Sequence, residues 1–286
     1  MKPNHRFCSE KPEFWANVRL ISQLVGYKEP HHDKIKVPTF TEIISSYRSK
    51  KLSTDHLETL GKPTDFAKHL LEYFEFRSKS LGEIARSQLM DVADVKFEFD
   101  KLINSYIPSC PLPMNKQKGD KKNFAFFTCI INMLIERELK NQECDYDPRE
   151  LVFVTKDNTP IRTFSRRVDG CYPSTQSPIA IWEIKEYYYT TTFGSRVADG
   201  IYETLVDGME LEELNKTDGV KILHYLMIDS RRTWWEMGKS YLCRLVDMLH
   251  MGYVDEIFFG KEVISELPKE VQKWIELFNL QSKQSV

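Results

Sequence analysis

The sequence has 286 residues, of which 41% are hydrophobic and 29% charged, so it can bury a sizeable core and is not generally disordered. Lysine and arginine total 40 against 42 aspartates and glutamates, and the net charge of −2 excludes a histone-like polycation. Any contact with nucleic acid must therefore come from local basic patches. The sequence shows no apolar stretch of the roughly 20 residues that a membrane span needs, and no apolar signal segment at its start. We expect a cytoplasmic protein without a membrane partner.

The first part of the chain, residues 1–115, is predicted to be mainly helical. Phe14, Val18, Ile21 and Val25 recur at helical spacing, and Gly26 follows where a helix would stop. Comparable patterns predict further helices over residues 41–47, 64–74, 81–89 and 92–107.

A break in composition divides the chain. Residues 108–123 hold three prolines, one glycine and four lysines with few apolar side chains. Such a composition predicts a loop or linker. We therefore expect a second part that comprises residues 116–286.

This second part alternates between helical and extended patterns. Helices are predicted over residues 124–139, 195–214 and 233–251, and strands over 151–155, 161–169, 179–189, 221–229 and 256–259. The order is one helix, a meander of three strands, then helix, strand, helix and strand. This order predicts an α/β (α+β) fold, with a mixed central sheet flanked by helices.

Three charged residues fall on neighbouring strands of the predicted meander. Asp169 ends the second strand, and Glu183 and Lys185 lie on the third, where their spacing puts both on one face of the sheet. The surrounding stretch is otherwise apolar, so these charges are costly unless they are paired or bind a metal. Two converging carboxylates favour a divalent cation, and the lysine could hold a water beside it. The alternative is a surface strand whose glutamate and lysine face water.

The pattern of Asp169, thirteen residues and then Glu183-Ile184-Lys185 resembles the PD-(D/E)xK nuclease signature, although Val168 stands where that signature has proline. The predicted element order resembles the αβββαβ core of the same superfamily over residues 124–260. Within it, the whole chain looks most like a type II restriction endonuclease. We call Asp169, Glu183 and Lys185 the triad.

The resemblance implies Mg²⁺-dependent hydrolysis of phosphodiester bonds in double-stranded DNA, with Mn²⁺ as a possible substitute. Asp169, Glu183 and the main-chain carbonyl of Ile184 would bind the metal, and Lys185 would position the attacking water. A glutamate from the preceding helix, Glu136 or Glu138, would complete the metal site. The helical first part would read DNA or support a homodimer, which is the natural assembly for cutting two strands. A restriction enzyme would also point to a prokaryotic source.

Several basic or hydroxyl residues could contact the DNA backbone, and each has an ordinary structural alternative. Arg166 and Arg167 precede Asp169 and could instead be exposed strand positions. Ser195 and Arg196 begin a predicted helix, which Ser195 or Thr192 could simply cap. Lys121 and Lys122 could track DNA or lie in a solvated linker.

Two other functions compete with the restriction enzyme. One is a non-catalytic nucleic-acid-binding or assembly protein on a nuclease scaffold, although all three triad residues are present. The other is a defence or repair nuclease without strict sequence preference. The near-neutral net charge disfavours an indiscriminate DNA binder.

Overall fold

The computed structural model describes residues 1–29, 32–117, 120–189 and 194–284, with the backbone alone for residues 116, 117, 120–122, 282 and 284. The helices are α1 (Pro12–Val25), α2 (Phe40–Ser49), α3 (Asp65–Ser80), α4 (Arg86–Gln88), α5 (Val92–Ile103), α6 (Phe126–Leu139), α7 (Ser195–Asp218), α8 (Lys239–His250) and α9 (Glu262–Gln284). The strands are β1 (Glu58–Thr59), β2 (Lys62–Pro63), β3 (Met114–Gln117), β4 (Asp120–Phe124), β5 (Phe153–Lys156), β6 (Thr159–Thr163), β7 (Gly170–Tyr172), β8 (Ala180–Glu186), β9 (Leu223–Asp229) and β10 (Glu256–Phe259). The fold is therefore of the mixed α+β class that the sequence predicted.

The front helices begin and end at the residues expected from local chemistry. Gly26 ends α1 with a positive φ of 99°, a conformation that only glycine adopts without strain. Thr39 caps α2 in a reciprocal arrangement with Glu42, and the Thr64 side chain accepts a hydrogen bond from the first turn of α3. The apolar faces of these three helices pack into one cluster, which confirms the helical prediction for this region.

A buried ion pair fastens this helical part to the rest of the chain. Arg77 of α3 donates from Nη1 to both carboxylate oxygens of Asp247 on α8, at 3.0 Å each. The Tyr73 hydroxyl donates to the same carboxylate at 2.6 Å, and Nη2 of Arg77 donates to the Ser22 hydroxyl at 3.1 Å. Arg77 is 1% exposed, so its charge depends on Asp247 for neutralisation.

The central sheet has four strands in the order β10-β9-β8-β7, with β7 antiparallel to β8 and the other pairs parallel. Trp182 and Tyr225 pack on one face with α6 and α9. On the other face, Leu226 and Ile228 pack with α7 and α8. The alternation of side chains along each strand therefore feeds two hydrophobic layers.

Two predictions about the chain before the sheet were wrong. The expected linker over residues 108–123 contains the hairpin of β3 and β4. The expected three-strand meander is also interrupted, because β5 and β6 form a separate hairpin and the chain enters the central sheet only at β7. Strand β6 ends at Thr163, and two residues later the backbone N–H of Ser165 donates to the Glu210 carboxylate of α7.

The long helix expected over residues 233–251 is also divided. A π-helical segment, Arg232–Met237, precedes α8, and Gly238 lies between them. A Cβ atom at Gly238 would lie 2.5 Å from the Thr233 carbonyl oxygen, so this close approach requires glycine. Within the residues that the structure covers, no helix is both long and apolar enough to cross a membrane.

We expect Asp247→Ala to destabilise the protein strongly, because it leaves the Arg77 charge buried without a partner. Loss of one member of a buried pair costs about 3–5 kcal/mol of unfolding free energy. Urea denaturation followed by tryptophan fluorescence measures this loss. Arg6→Ala is the control, since it removes an exposed ion pair with Glu72 and should change stability little. Equal denaturation midpoints for the two variants would contradict the role assigned to Arg77 and Asp247.

Candidate active site

The structure places Asp169 beside the strand that carries Glu183. Asp169 immediately precedes β7, whose first residue Gly170 pairs with Trp182, and the Asp169 N–H donates to the carbonyl of the same Trp182 at 3.2 Å. The Asp169 carboxylate turns back and accepts a hydrogen bond from the backbone N–H of Ile184 at 2.7 Å. Asp169 thus lies before a strand instead of ending one, and its carboxylate is held against β8 close enough to Glu183 for the two charges to interact.

Glu183 and Lys185 share a face of β8, as their spacing predicted. Ile181, two residues earlier, packs with apolar side chains of α7, whereas Trp182 packs with α6 and α9 on the other face. Glu183 is 0% exposed and Lys185 is 7% exposed. The alternative of a strand whose two charges face water is therefore wrong.

Two internal cations satisfy the Glu183 carboxylate. Arg166 donates from Nη1 to Oε1 at 2.9 Å and from Nη2 to Oε2 at 3.2 Å. Lys185 donates from Nζ to Oε2 at 2.7 Å. This two-pronged arginine contact makes the burial of a full negative charge tolerable.

Helix α7 adds two acids that the sequence reasoning missed. Lys185 Nζ donates to Glu203 Oε2 at 2.7 Å, and Arg166 Nη1 donates to Asp207 Oδ2 at 2.5 Å. The two acids are four residues apart, so they lie on the same side of the helix. The resulting ion-pair cluster comprises Arg166, Asp169, Glu183, Lys185, Glu203 and Asp207.

Small residues along α7 could have predicted that Glu203 and Asp207 face β8. Along α7 the apolar Met209 is 53% exposed, whereas the charged Asp207 is 0% exposed. Gly200 and Gly208 are both buried; Gly200 faces Lys185 of β8, whereas Gly208 lies against Tyr253. A Cβ atom on Gly200 would lie 3.3 Å from Cδ of Lys185, so the helix approaches the lysine closely at this point. A stripe of small residues beside two acids at helical spacing could have indicated the contact.

Four carboxylates and two cationic side chains give the ion-pair cluster a net charge of −2 when all are ionised. Asp169 keeps contact with solvent but has protein on most sides; this desolvation and the charge of Glu183 raise its pKa to about 6. Burial, reinforced by Glu183, raises the pKa of Asp207 to about 7. Burial also acts to raise the pKa of Glu183, but Lys185 and Arg166 outweigh it and the pKa lies below the usual value. Of these three acids, Glu183 therefore stays ionised, and Asp169 and Asp207 are the two that take up a proton more readily.

Comparisons with known proteins define two segments of the chain. Residues 90–274, more than half of the sequence, match the model of DUF7687, a domain of unknown function. The chain belongs to the DUF7687 family. Residues 1–84 match DUF7690, also a domain of unknown function. No curated protein and no solved structure matches the chain.

The whole ion-pair cluster lies inside the DUF7687 segment. Helix α5 also belongs to it and contributes Val95 and Phe99 to the core formed with α6 and α9. The DUF7690 segment contains α1 to α3 and meets the DUF7687 segment at the Arg77–Asp247 pair. The division at residue 115 that the composition suggested stays a prediction.

The structure separates the predicted phosphate contacts into three kinds. Arg166 turns inward to the ion-pair cluster, whereas Arg167, Ser195 and Arg196 are exposed. Gly194 occupies the N-cap position of α7 and has no side chain to accept a hydrogen bond from the helix, so Ser195 is the first helical residue instead of the cap. The side chains of Lys121 and Lys122, and the whole of Thr192, lie outside the described parts of the chain.

Glu136 and Glu138 do not join the triad, contrary to the prediction. Glu186 accepts hydrogen bonds from the backbone and hydroxyl of Thr128, both at 3.0 Å, which fixes the start of α6 on the face of β8 opposite to Glu183. Glu136 instead binds Ser109, and Glu138 accepts from the Gln272 side chain at 2.8 Å. The sheet stands between these acids and the triad because successive strand side chains point to opposite faces.

We expect Gly170→Ala to disturb both the core and the position of Asp169. An added Cβ atom would lie 2.2 Å from the Trp182 ring, which is itself stacked on Trp274 with centroids 5.4 Å apart. Overpacking of this kind costs about 1–3 kcal/mol, measurable by chemical denaturation. Gly82→Ala is the control, since nothing lies within 4 Å of its added Cβ atom. A Gly170→Ala variant as stable as the control would contradict this packing.

The raised pKa of Asp207 predicts a pH-dependent effect of Asp207→Asn. The pKa rises from an ordinary 3.8 to about 7, so folded protein holds a proton that the unfolded chain releases. Asp207 therefore costs stability progressively as pH rises from about 4 to about 7. The unfolding free energy of Asp207→Asn, relative to wild type, should increase across this range and level off above it.

Denaturant titrations at several pH values between about 4 and about 8 measure this difference. Asp199→Asn, which changes an exposed acid on the same helix, should show no such trend. A difference for Asp207→Asn that is constant or falls with pH would show that this carboxyl is not the proton-binding group.

Proposed function

We propose that the protein is a Mg²⁺-dependent endonuclease that hydrolyses DNA, most like a type II restriction endonuclease that cuts duplex DNA at a specific sequence. The observation that carries this proposal is the meeting of three charged side chains at β8: the Asp169 carboxylate accepts from the Ile184 N–H, and the Lys185 ammonium group donates to Glu183. The residues stand in the chain order and on the strand face that the resemblance to PD-(D/E)xK nucleases requires. This function would place the protein in the cytoplasm of a prokaryote.

The donor set fits a hard divalent cation. Asp169, Glu183 and the main-chain carbonyl of Ile184 would hold it; all supply oxygen atoms, the ligand type preferred by Mg²⁺ and accepted by Mn²⁺. With all of its groups ionised, the ion-pair cluster carries a net charge of −2, which a divalent ion would neutralise. Among the described residues, no three or more His, Cys, Asp or Glu side chains are grouped so as to hold a metal ion, and Arg166 and Lys185 engage the Glu183 oxygens. When bound, the ion would supply an activated water and stabilise charge on the phosphate.

Lys185 would act as a cation and not as a base. Its burial tends to lower the pKa, but Glu183 and Asp169 outweigh that effect and the pKa lies above the usual value. The side chain therefore keeps its proton at neutral pH. Fixed by Glu183 and Glu203, the ammonium group can orient a water and stabilise negative charge that develops on a phosphate.

Exposed basic residues lie beside the triad and support a nucleic-acid substrate. Arg167 lies two residues before Asp169, and Arg196 lies in the first turn of α7, about 6 Å along the helix from Gly200 and its contact with Lys185. Ser195 and the N-terminal end of α7 add hydroxyl and N–H donors that favour phosphate groups. A homodimer would bring two such sites to the two strands of a duplex.

Cleavage of DNA tests the proposal. Purified protein with plasmid or phage DNA and Mg²⁺ should give discrete fragments that disappear when EDTA is added. Lys185→Ala should lower the cleavage rate at least about a hundredfold, since it removes a fixed cation from the reacting centre. Lys216→Ala, which removes an exposed lysine of α7, should cleave like wild type.

The cleavage pattern separates the related functions. A smear of fragments with the same response to EDTA and Lys185→Ala would indicate a defence or repair nuclease without strict sequence preference. Equal activity of Lys185→Ala and wild type would remove the triad from the reaction. Light scattering of the purified protein tests the proposed homodimer.

One observation favours the non-catalytic alternative. Both oxygens of the Glu183 carboxylate are already engaged by Arg166 and Lys185, as they would be in a purely structural ion-pair network. A protein of this kind would bind DNA in a gel-shift assay without cutting it in either Mg²⁺ or Mn²⁺. Binding without cleavage on several DNA substrates would therefore support the nucleic-acid-binding function instead.

A further inference from the structure

Three carboxylates surround the guanidinium group of Arg166. Its Nη1 lies 2.9 Å from Glu183 Oε1 and 2.5 Å from Asp207 Oδ2, and its Nη2 lies 3.5 Å from Glu203 Oε2. We call Glu183, Glu203 and Asp207 the carboxylate cage. Arg166 fills the centre of the cage with only a quarter of its side chain exposed.

Arg166 does not satisfy the cage completely. Asp207 is 0% exposed, and its second oxygen, Oδ1, has no hydrogen-bond partner among the described residues. A buried carboxylate oxygen without a donor is costly, because it has lost water and gained nothing in return. One carboxylate oxygen of the cage is therefore left without a donor from Arg166 and is free to contact a further ligand.

The chemistry of the cage selects the ligand. Its carboxylate oxygens come from β8 and from adjacent turns of α7, and they converge on a single positive group. Clustered carboxylate oxygens in a partly closed site favour a divalent metal ion with hard character. A guanidinium group in that position neutralises one charge, whereas a divalent ion neutralises two.

We propose that the carboxylate cage is a divalent-cation site and that Arg166 is its internal competitor. A cation bound by Glu183 and Asp207 displaces the Arg166 guanidinium, which lies next to the exposed Arg167 and then becomes available to a DNA phosphate. Glu203 and Asp207 of α7 thereby extend the metal site beyond the triad. The role of the cation in hydrolysis rests on the proposed nuclease function, but cation binding by the cage can be measured without DNA.

Mn²⁺ binding by isothermal titration calorimetry, without DNA, tests this competition. Arg166→Ala should lower the Kd for Mn²⁺ at least about tenfold relative to wild type, since the cation no longer displaces a bound group. Adding Asp207→Asn to Arg166→Ala should reverse most of that gain. Arg162→Ala is the matched control. Arg162 pairs at 3.0 Å with Glu213, which lies on α7 but outside the cage, so the Kd of this variant should equal that of wild type.

Arg166→Ala leaves buried acids without a counter-charge and could fail to fold. Arg166→Lys keeps the charge but loses the two-pronged contact with Glu183, so it should also bind Mn²⁺ more tightly than wild type, by a smaller factor. The rise in melting temperature on adding Mn²⁺ gives a second readout and should be larger for Arg166→Lys than for wild type.

The outcomes distinguish the cage from the nuclease function. A Kd that is unchanged or higher in both Arg166 variants would overturn the competition, even if wild-type protein cleaves DNA. Tighter Mn²⁺ binding in those variants, lost again with Asp207→Asn, would support the cage even if no DNA is cleaved. A gain in Arg162→Ala equal to that in Arg166→Ala would overturn it as well, since net charge alone would then explain the change.

Discussion

The buried charge of Glu183 is the constraint around which the candidate site is organised. A carboxylate with no access to solvent must be neutralised, and two cations from different parts of the chain do so. Arg166 can reach Glu183 only because the chain leaves β6 at residue 163 and turns before it re-enters the sheet at β7. The local departure from a regular strand thus brings Arg166 to the charge buried in the centre of the sheet.

The acids of α7 follow from the same constraint. Arg166 and Lys185 bring positive charge into a poorly solvated region, and Glu203 and Asp207 pair with them there. Close approach of α7 is possible because Gly200 presents no side chain to Lys185. Buried ion pairs of this kind add little net stability over apolar packing, so their main effect here is to fix the positions of the charged groups. The net negative charge and the raised pKa of Asp169 and Asp207 are consistent with a site that takes up a cation.

A second buried pair determines how the DUF7690 and DUF7687 segments are joined. Arg77 and Asp247 neutralise each other in an otherwise apolar contact between α3 and α8, with Tyr73 adding a further hydrogen bond. Such a pair favours one arrangement of the helices, because any sliding would leave a charge without its partner. The helical segment is therefore held in a defined position on the face that α7 and α8 cover, the same face that carries Glu183 and Lys185.

Local patterns in the sequence were sufficient for α1, for β10 and for the shared face of Glu183 and Lys185, because helix and strand periodicity depend on neighbouring residues alone. They were also sufficient to select Asp169, although not its position before a strand. Only the tertiary structure decided which helix meets the triad: α6 with Glu136 and Glu138 covers the opposite face, and α7 supplies Glu203 and Asp207 instead. Periodicity shows that a helix has a buried side, but not which face of a sheet that side covers. The inward turn of Arg166 was equally hidden, since it depends on a buried carboxylate seventeen residues further along the chain.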